Sequence, residues 1–258
     1  MKLKIPDKYS IAAILLVAAA AILVWIAITA NPGEQLAAAL VISGLICAIT
    51  GIFALAFSGN EPVDPGLLGL LPAQGCITFC RIANHLGIQG NAYFLPQRIT
   101  GEQRVMQFNP VSTYKGSDGA PKGSFRKTGP PGIVTTPSGD PLIQDLKKNN
   151  ELVVPFDNND LTVLLRETIE DAFKLAPRVS ARWSDSMVTI TFHKYPGING
   201  CSVIARESPQ CCTMSPCPMC SLCGALIAEG LDKVVTLNKC SIAPSSRNIT
   251  AVFSILPY

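Results

Sequence analysis

The residues best equipped for chemistry are cysteines. Cys211, Cys212, Cys217, Cys220 and Cys223 read C-C-x4-C-x2-C-x2-C. In a reducing compartment such density points to metal binding or thiol reactivity before disulfides. Two overlapping C-x2-C spacings present three thiolates to one zinc ion or iron–sulfur cluster, with Cys211 or Cys212 as a fourth ligand. A second chemistry follows if Pro218 starts a helix. Cys217 then sits at the cap and Cys220 in the first turn, where backbone amides favour thiolate over thiol. The ferredoxin-type run needs a fourth Cys, followed by Pro, soon after the third, and position 227 is Ile227. Cys223 also shares an apolar stripe with Met219, Leu222, Leu226 and Ile227, as a buried structural thiol does. Plain core thiols, metal ligands and redox thiols all remain open at this point.

The other candidates are weaker. Cys76 and Cys80 lie one helical turn apart with His85 beyond them, a spacing that suits metal but more simply gives two small apolar residues on a helix. Cys201 and Cys240 are isolated in sequence, and His193 has no acid nearby. No G-x-x-x-x-G-K-[ST] loop, G-x-G-x-x-G, H-E-x-x-H or G-x-S-x-G occurs, and the acids are scattered without an evident acid–base pair. The absence of these motifs favours a binding or scaffold protein over an enzyme.

The elements that must position these residues begin with two apolar runs, Ser10 to Ala30 and Leu36 to Phe57. No charged residue occurs from Tyr9 to Gly33 or from Gln35 to Asn60, and Glu34 alone separates the gaps. A helix rises ~1.5 Å per residue, so each run reaches about the ~30 Å of a bilayer core. Small residues at four-residue spacing, Gly44 with Ala48 and Cys47 with Gly51, allow close packing, with the first helix as the nearer partner and a homodimer as the alternative. Lys2, Lys4 and Lys8 precede the first run while the connecting loop holds no base, so the amino terminus is expected in the cytoplasm. Two crossings return the rest of the chain to the same side. Asn248-Ile249-Thr250 has the pattern of a glycosylation acceptor, which that topology leaves unused.

Residues 1–60 therefore read as a transmembrane hairpin, 61–90 as a juxtamembrane linker and helix, and 91–258 as an α+β cytoplasmic domain. Residues 61–258 carry 18 basic and 16 acidic side chains, a balance that gives no pull towards nucleic acid. The expected partners are membrane lipid and a protein or second copy of the chain. A loop from Ser112 to Pro131, with Lys115, Lys122, Arg126 and Lys127, is basic enough to meet anionic headgroups, although a solvated mobile loop is the simpler reading. Helices are predicted at Ala73–Leu86, Asp140–Lys148, Asn159–Leu175 and Pro218–Gly230. Strands are predicted at Tyr93–Gln97, Arg104–Phe108, Gly132–Thr136, Val179–Trp183, Met187–His193, Lys233–Lys239 and Asn248–Leu256. The order helix–strand–strand recurs at 159–193 and 218–256, which predicts one antiparallel four-stranded sheet with helices on one side.

Tyr93-Phe94-Leu95-Pro96, the Thr136-Pro137-Ser138-Gly139 segment before Leu142, and Gly230 to Leu237 together resemble an archaeal family of membrane-anchored proteins of unknown function. The resemblance implies a membrane anchor and no assigned activity, and it carries over no functional residue. Gly224 to Cys240 is also faintly similar to the end of vinyl-reductase-type small-molecule-binding domains.

Overall fold

The computed structural model describes residues 8–30, 33–58, 65–88, 90–116, 119, 121, 129–150 and 152–256. Lys2 and Lys4, on which the expected orientation rests, lie outside them, as do Glu61 to Asp64 of the linker and Lys122, Arg126 and Lys127 of the basic loop. The chain divides into two units, 1–63 and 64–258.

The first unit is a pair of helices, α1 (Lys8–Thr29) and α2 (Glu34–Ser58). Both are long and apolar enough to cross a membrane. Gly44 and Gly51 of α2 face α1: a side-chain carbon on Gly44 would lie 3.2 Å from the Ala20 carbonyl oxygen, and one on Gly51 3.4 Å from that of Ala13. Thr50 satisfies its hydroxyl on the Ile46 carbonyl at 2.8 Å, so its polarity costs the helix little.

The second unit is an α+β domain built on one seven-stranded antiparallel sheet. Its strands are β1 (Tyr93–Leu95), β2 (Met106–Pro110), β3 (Gly132–Thr135), β4 (Arg178–Ser184), β5 (Met187–His193), β6 (Val234–Ala243) and β7 (Asn248–Leu256), in the order β3-β2-β1-β6-β7-β5-β4. The two hairpins expected from the repeat thus lie side by side through β5–β7, and the three short strands extend the same sheet beyond β6. Its helices are α3 (Pro65–Leu70), α4 (Ala73–His85), α5 (Gln97–Thr100), α6 (Asp140–Asn150), α7 (Asn158–Arg166), α8 (Ile198–Glu207), α9 (Cys211–Met214) and α10 (Pro218–Leu231). The sequence pattern did not predict α3, α5, α8 or α9.

Strand alternation decides which residues meet the helices. Val188, Ile190 and Phe192 of β5, Ala251 and Phe253 of β7, and Val235 and Leu237 of β6 form one face of the sheet, fully buried under α10. That helix is itself buried almost all round. Gly224 makes this possible, because a side-chain carbon there would fall 2.3 Å from the Phe94 ring on β1. Leu95, Ile99, Phe108, Tyr114 and Val234 form a smaller core on the opposite face, where Tyr114 meets Tyr93 and Phe108 edge-on.

Two predicted elements change at their ends. Asp140 is the first residue of α6, which runs on to Asn150, and its carboxylate accepts from Arg104 at 3.0 Å and from Gln144 at 3.1 Å. The helix predicted to Leu175 leaves α-geometry after Arg166 and continues as one π-helical turn, Glu167–Ala172. Glu170 then accepts from the backbone N–H of Val179 at 2.6 Å, and Lys174 takes a left-handed backbone conformation (φ 51°), so the chain turns into β4.

Candidate thiol pocket

Cys217 caps α10 with extended backbone, and Pro218 follows at the first helical position, as the proline predicts. The Cys217 carbonyl accepts from Ser221 at 2.8 Å, closing the first turn, while its side chain makes no capping hydrogen bond. Three residues on, Cys220 lies on the same side of the helix in its first turn. Cys201, on α8, lines the same cavity as Cys217.

A bulge sets the other end of this row. Along β6, Leu237 pairs with Phe253, Lys239 with Val252 and Cys240 with Ala251, leaving Asn238 as the extra residue. Simple alternation would put Cys240 on the face of Val234 and Thr236. The bulge moves it to the face of Val235 and Leu237, against α9 and α10. There Cys240 packs against both the core that holds Cys220 and the cluster that holds Cys212. Cys201, Cys217, Cys220, Cys240 and Cys212 form a row in the sense that each influences the ionisation of the next.

The electrostatics follow from who donates. The neighbouring thiols of Cys201 and Cys220 hold Cys217 well below the usual thiol range despite burial. Hydrogen bonds from Cys212 and then Cys220 bring Cys240 down to about 5. Their donors move the other way. Cys201, Cys212 and Cys220 are pushed up first by donating to a neighbouring sulfur and then by burial. Cys220 has one S–H and two acceptors, so it serves only one of them at a time. Cys76 is pushed up to about 11 by burial.

The sequence candidates separate accordingly. Cys217 and Cys220 come together as C-x2-C, and Cys212 joins through Cys240. Cys223 sits in the main core with its thiol pushed up by desolvation, and Cys211 instead pairs with Cys80, whose sulfur donates to the Cys211 carbonyl at 3.5 Å. His85 is exposed at the end of α4, and His193 meets Ser180 at 3.1 Å across β4–β5. All ten cysteines are free. Among the described residues, no three or more Cys, His, Asp or Glu side chains are grouped so as to hold a metal ion. Sequence reasoning missed Cys201 and Cys240. For Cys201 a signal exists in the three-residue spacing of Ile198, Cys201 and Ile204, the buried stripe of α8.

One end of the row opens to a cavity of about 520 Å³. Its walls include Leu142, Phe173, Leu175, Tyr195, Ile204 and Met219, with Cys201 and Cys217 among them. Among the described residues, Lys174 is the one charged residue in the lining. Burial, followed by the charge of Cys217, keeps the Tyr195 hydroxyl protonated well above its ordinary range. On one side the wall is backbone: Gly200 of α8 packs directly on Gly69 of α3. The space falls within the ~300–1,000 Å³ of ordinary small-molecule sites and shares their apolar lining. Comparison of the chain with protein-family models, curated proteins and solved structures finds no match.

Proposed function

We propose that the protein is a membrane-tethered binding domain that holds an apolar small molecule in the cavity between α3, α6, α8 and α10. The single observation that carries this reading is the cavity itself, a space of about 520 Å³ with an apolar wall and one rim cation, Lys174. An uncharged or amphiphilic molecule gains by moving its hydrocarbon from water into such a space, at ~25 cal/mol per Å² buried. The acidic end of an amphiphile would lie at Lys174. The two apolar helices supply the tether, and the lysines at 2, 4 and 8 favour a cytoplasmic domain, where free thiols persist.

Photolabelling tests the reading. The full chain, reconstituted in lipid, is exposed to a fatty acid bearing a photoreactive diazirine, and adducts are mapped by peptide mass. Adducts on the peptides containing Leu142, Phe173 to Leu175 and Met219 are expected, and they should disappear in Leu142→Trp, which fills the cavity. Adducts confined to α1 and α2 would refute the reading. Protease added to intact cells tests the side: digestion of the large domain overturns the cytoplasmic placement.

A further inference from the structure

We propose that Cys217-Pro218-Met219-Cys220 is a thiol–disulfide exchange centre, in which a low-molecular-weight disulfide entering the cavity reacts at Cys217 and Cys220 closes the bridge. The proposal rests on the cavity described above as the route of entry, not on the identity of what it binds.

Geometry separates the two sulfurs. Cys217 lines the cavity and is partly exposed, whereas Cys220 is buried one turn into α10. Cys217 also stands at the N-cap of α10, where the positive end of the helix favours negative charge on its sulfur, both when it attacks and when it later leaves. Cys220 stands three residues on, in the first turn of α10 and on the same side as Cys217, so ring closure needs little rearrangement. A C-x2-C at a helix start with an accessible first sulfur is the arrangement in which thiol exchange is fast.

The steps balance. The Cys217 thiolate attacks one sulfur of R–S–S–R, forming the mixed disulfide between Cys217 and R–S as the original S–S bond breaks, and the other half leaves as R–S⁻ and takes a proton from solvent. Cys220 gives up its proton to solvent and attacks the Cys217 sulfur. The second R–S⁻ departs. Two electrons pass from the protein dithiol to the external disulfide, which becomes two thiols, and the protein keeps a Cys217–Cys220 disulfide. The reverse reaction, with two external thiols, restores the dithiol.

Mass spectrometry of the full chain in detergent reads the outcome. The reduced protein is treated anaerobically with hydroxyethyl disulfide, free thiols are alkylated, and peptides are mapped over time. The wild type is expected to lose the free thiols of Cys217 and Cys220 first and together, as one bridge. Cys220→Ser should accumulate the hydroxyethyl adduct on Cys217, and Cys217→Ser should show neither adduct nor bridge there. First reaction at Cys47 or Cys240, or no bridge in the wild type, overturns the proposal, and the wild-type result needs no variant to fold. Bridging that persists while fatty-acid photolabelling fails leaves exchange standing and removes the ligand reading. Photolabelling that succeeds without bridging does the opposite.

Discussion

The contact between α3 and α8 gives a test whose sign is decided by one distance. Gly200 lies inside α8, where alanine is ordinarily better than glycine by roughly 0.5–1 kcal/mol. Helix propensity alone therefore expects Gly200→Ala to stabilise. The structure expects the reverse. A side-chain carbon at Gly200 would lie 1.8 Å from the Gly69 carbonyl oxygen and 2.5 Å from its carbon, both backbone atoms that cannot rotate away. Close carbon–oxygen contacts settle near 3.3 Å, so α3 must retreat by roughly 1.5 Å. Overpacking of that kind costs about 1–3 kcal/mol, which for a domain of this size lowers the Tm by about 2–12 °C. Because Gly69, Leu71 and Pro72 all line the cavity, the same retreat should open its wall and weaken fatty-acid photolabelling. The assay is thermal unfolding of the full chain in detergent, read by fluorescence of Trp183 in a Trp25→Phe background. Trp183 donates to Thr162 at 2.7 Å and so reports on the sheet edge against α7. Gly75→Ala in α4 is the control, since nothing lies within 4 Å of the added carbon, and there propensity should win with a rise of a few degrees. A rise for Gly200→Ala as well would refute the glycine contact and the cavity wall built on it.

Three further outcomes are expected. Phe253→Ala removes a fully buried ring from the centre of the sheet, where it lies between Val188 and Leu237, and should cost about 3–5 kcal/mol in chemical denaturation. Stability should rise from about pH 5 towards the ordinary thiol range near 8.5. In that window the unfolded chain holds protons that folded Cys217 and Cys240 have lost. Above it the unfolded thiols ionise while Cys76, Cys201, Cys212 and Cys220 stay protonated, so stability should fall again; a flat denaturation profile between pH 5 and 9 would contradict the sulfur assignments. Lys174→Glu should reduce labelling by the fatty-acid probe in low salt while leaving labelling by a neutral analogue unchanged.

The elements that were legible in the sequence are those whose stabilising contacts repeat locally. The apolar runs of α1 and α2, the alternation of Val188, Ile190 and Phe192, and that of Ile249, Ala251, Phe253 and Ile255 each state their own environment. Pro218 marked the start of α10 for the same reason. What failed depended on partners far along the chain. The strands β1, β2 and β3 are only three to five residues long, and nothing in them says that β1 pairs with β6 rather than forming a separate sheet. Helix α8 opens on Pro196-Gly197 and carries Gly200, all turn signals, because its glycines answer to Gly69 of α3 rather than to helix propensity. The π-helical turn after Arg166 arises from the bond between Glu170 and Val179, which a periodic reading of residues 159–175 does not contain.

The thiol row was hidden for a related reason, and one deletion exposes the logic. Cys240 reaches α10 only because Asn238 is extra, so counting alternate residues from Val234 sends it to the wrong face. If alternation along β6 were the controlling rule, removing Asn238 would swap the faces of every residue after it. The pairing with β7 argues otherwise. Lys239 and Cys240 take their sides from Val252 and Ala251, and Ala251 is fixed by full burial between sheet and helix. With Asn238 gone, Leu237, Lys239 and Cys240 follow one another in regular register opposite Phe253, Val252 and Ala251. The loss is confined to the exposed hydrogen bond between Asn238 and Ser254 and to local twist. Deletion of Asn238 is thus expected to leave Cys240 beside Cys212 and Cys220, with its alkylation rate little changed and the Tm within a few degrees of the parent. A sharp rise in Cys240 reactivity, as from a side chain turned to solvent, would show that the strand and not its partner sets the register, and the row of sulfurs would lose its end.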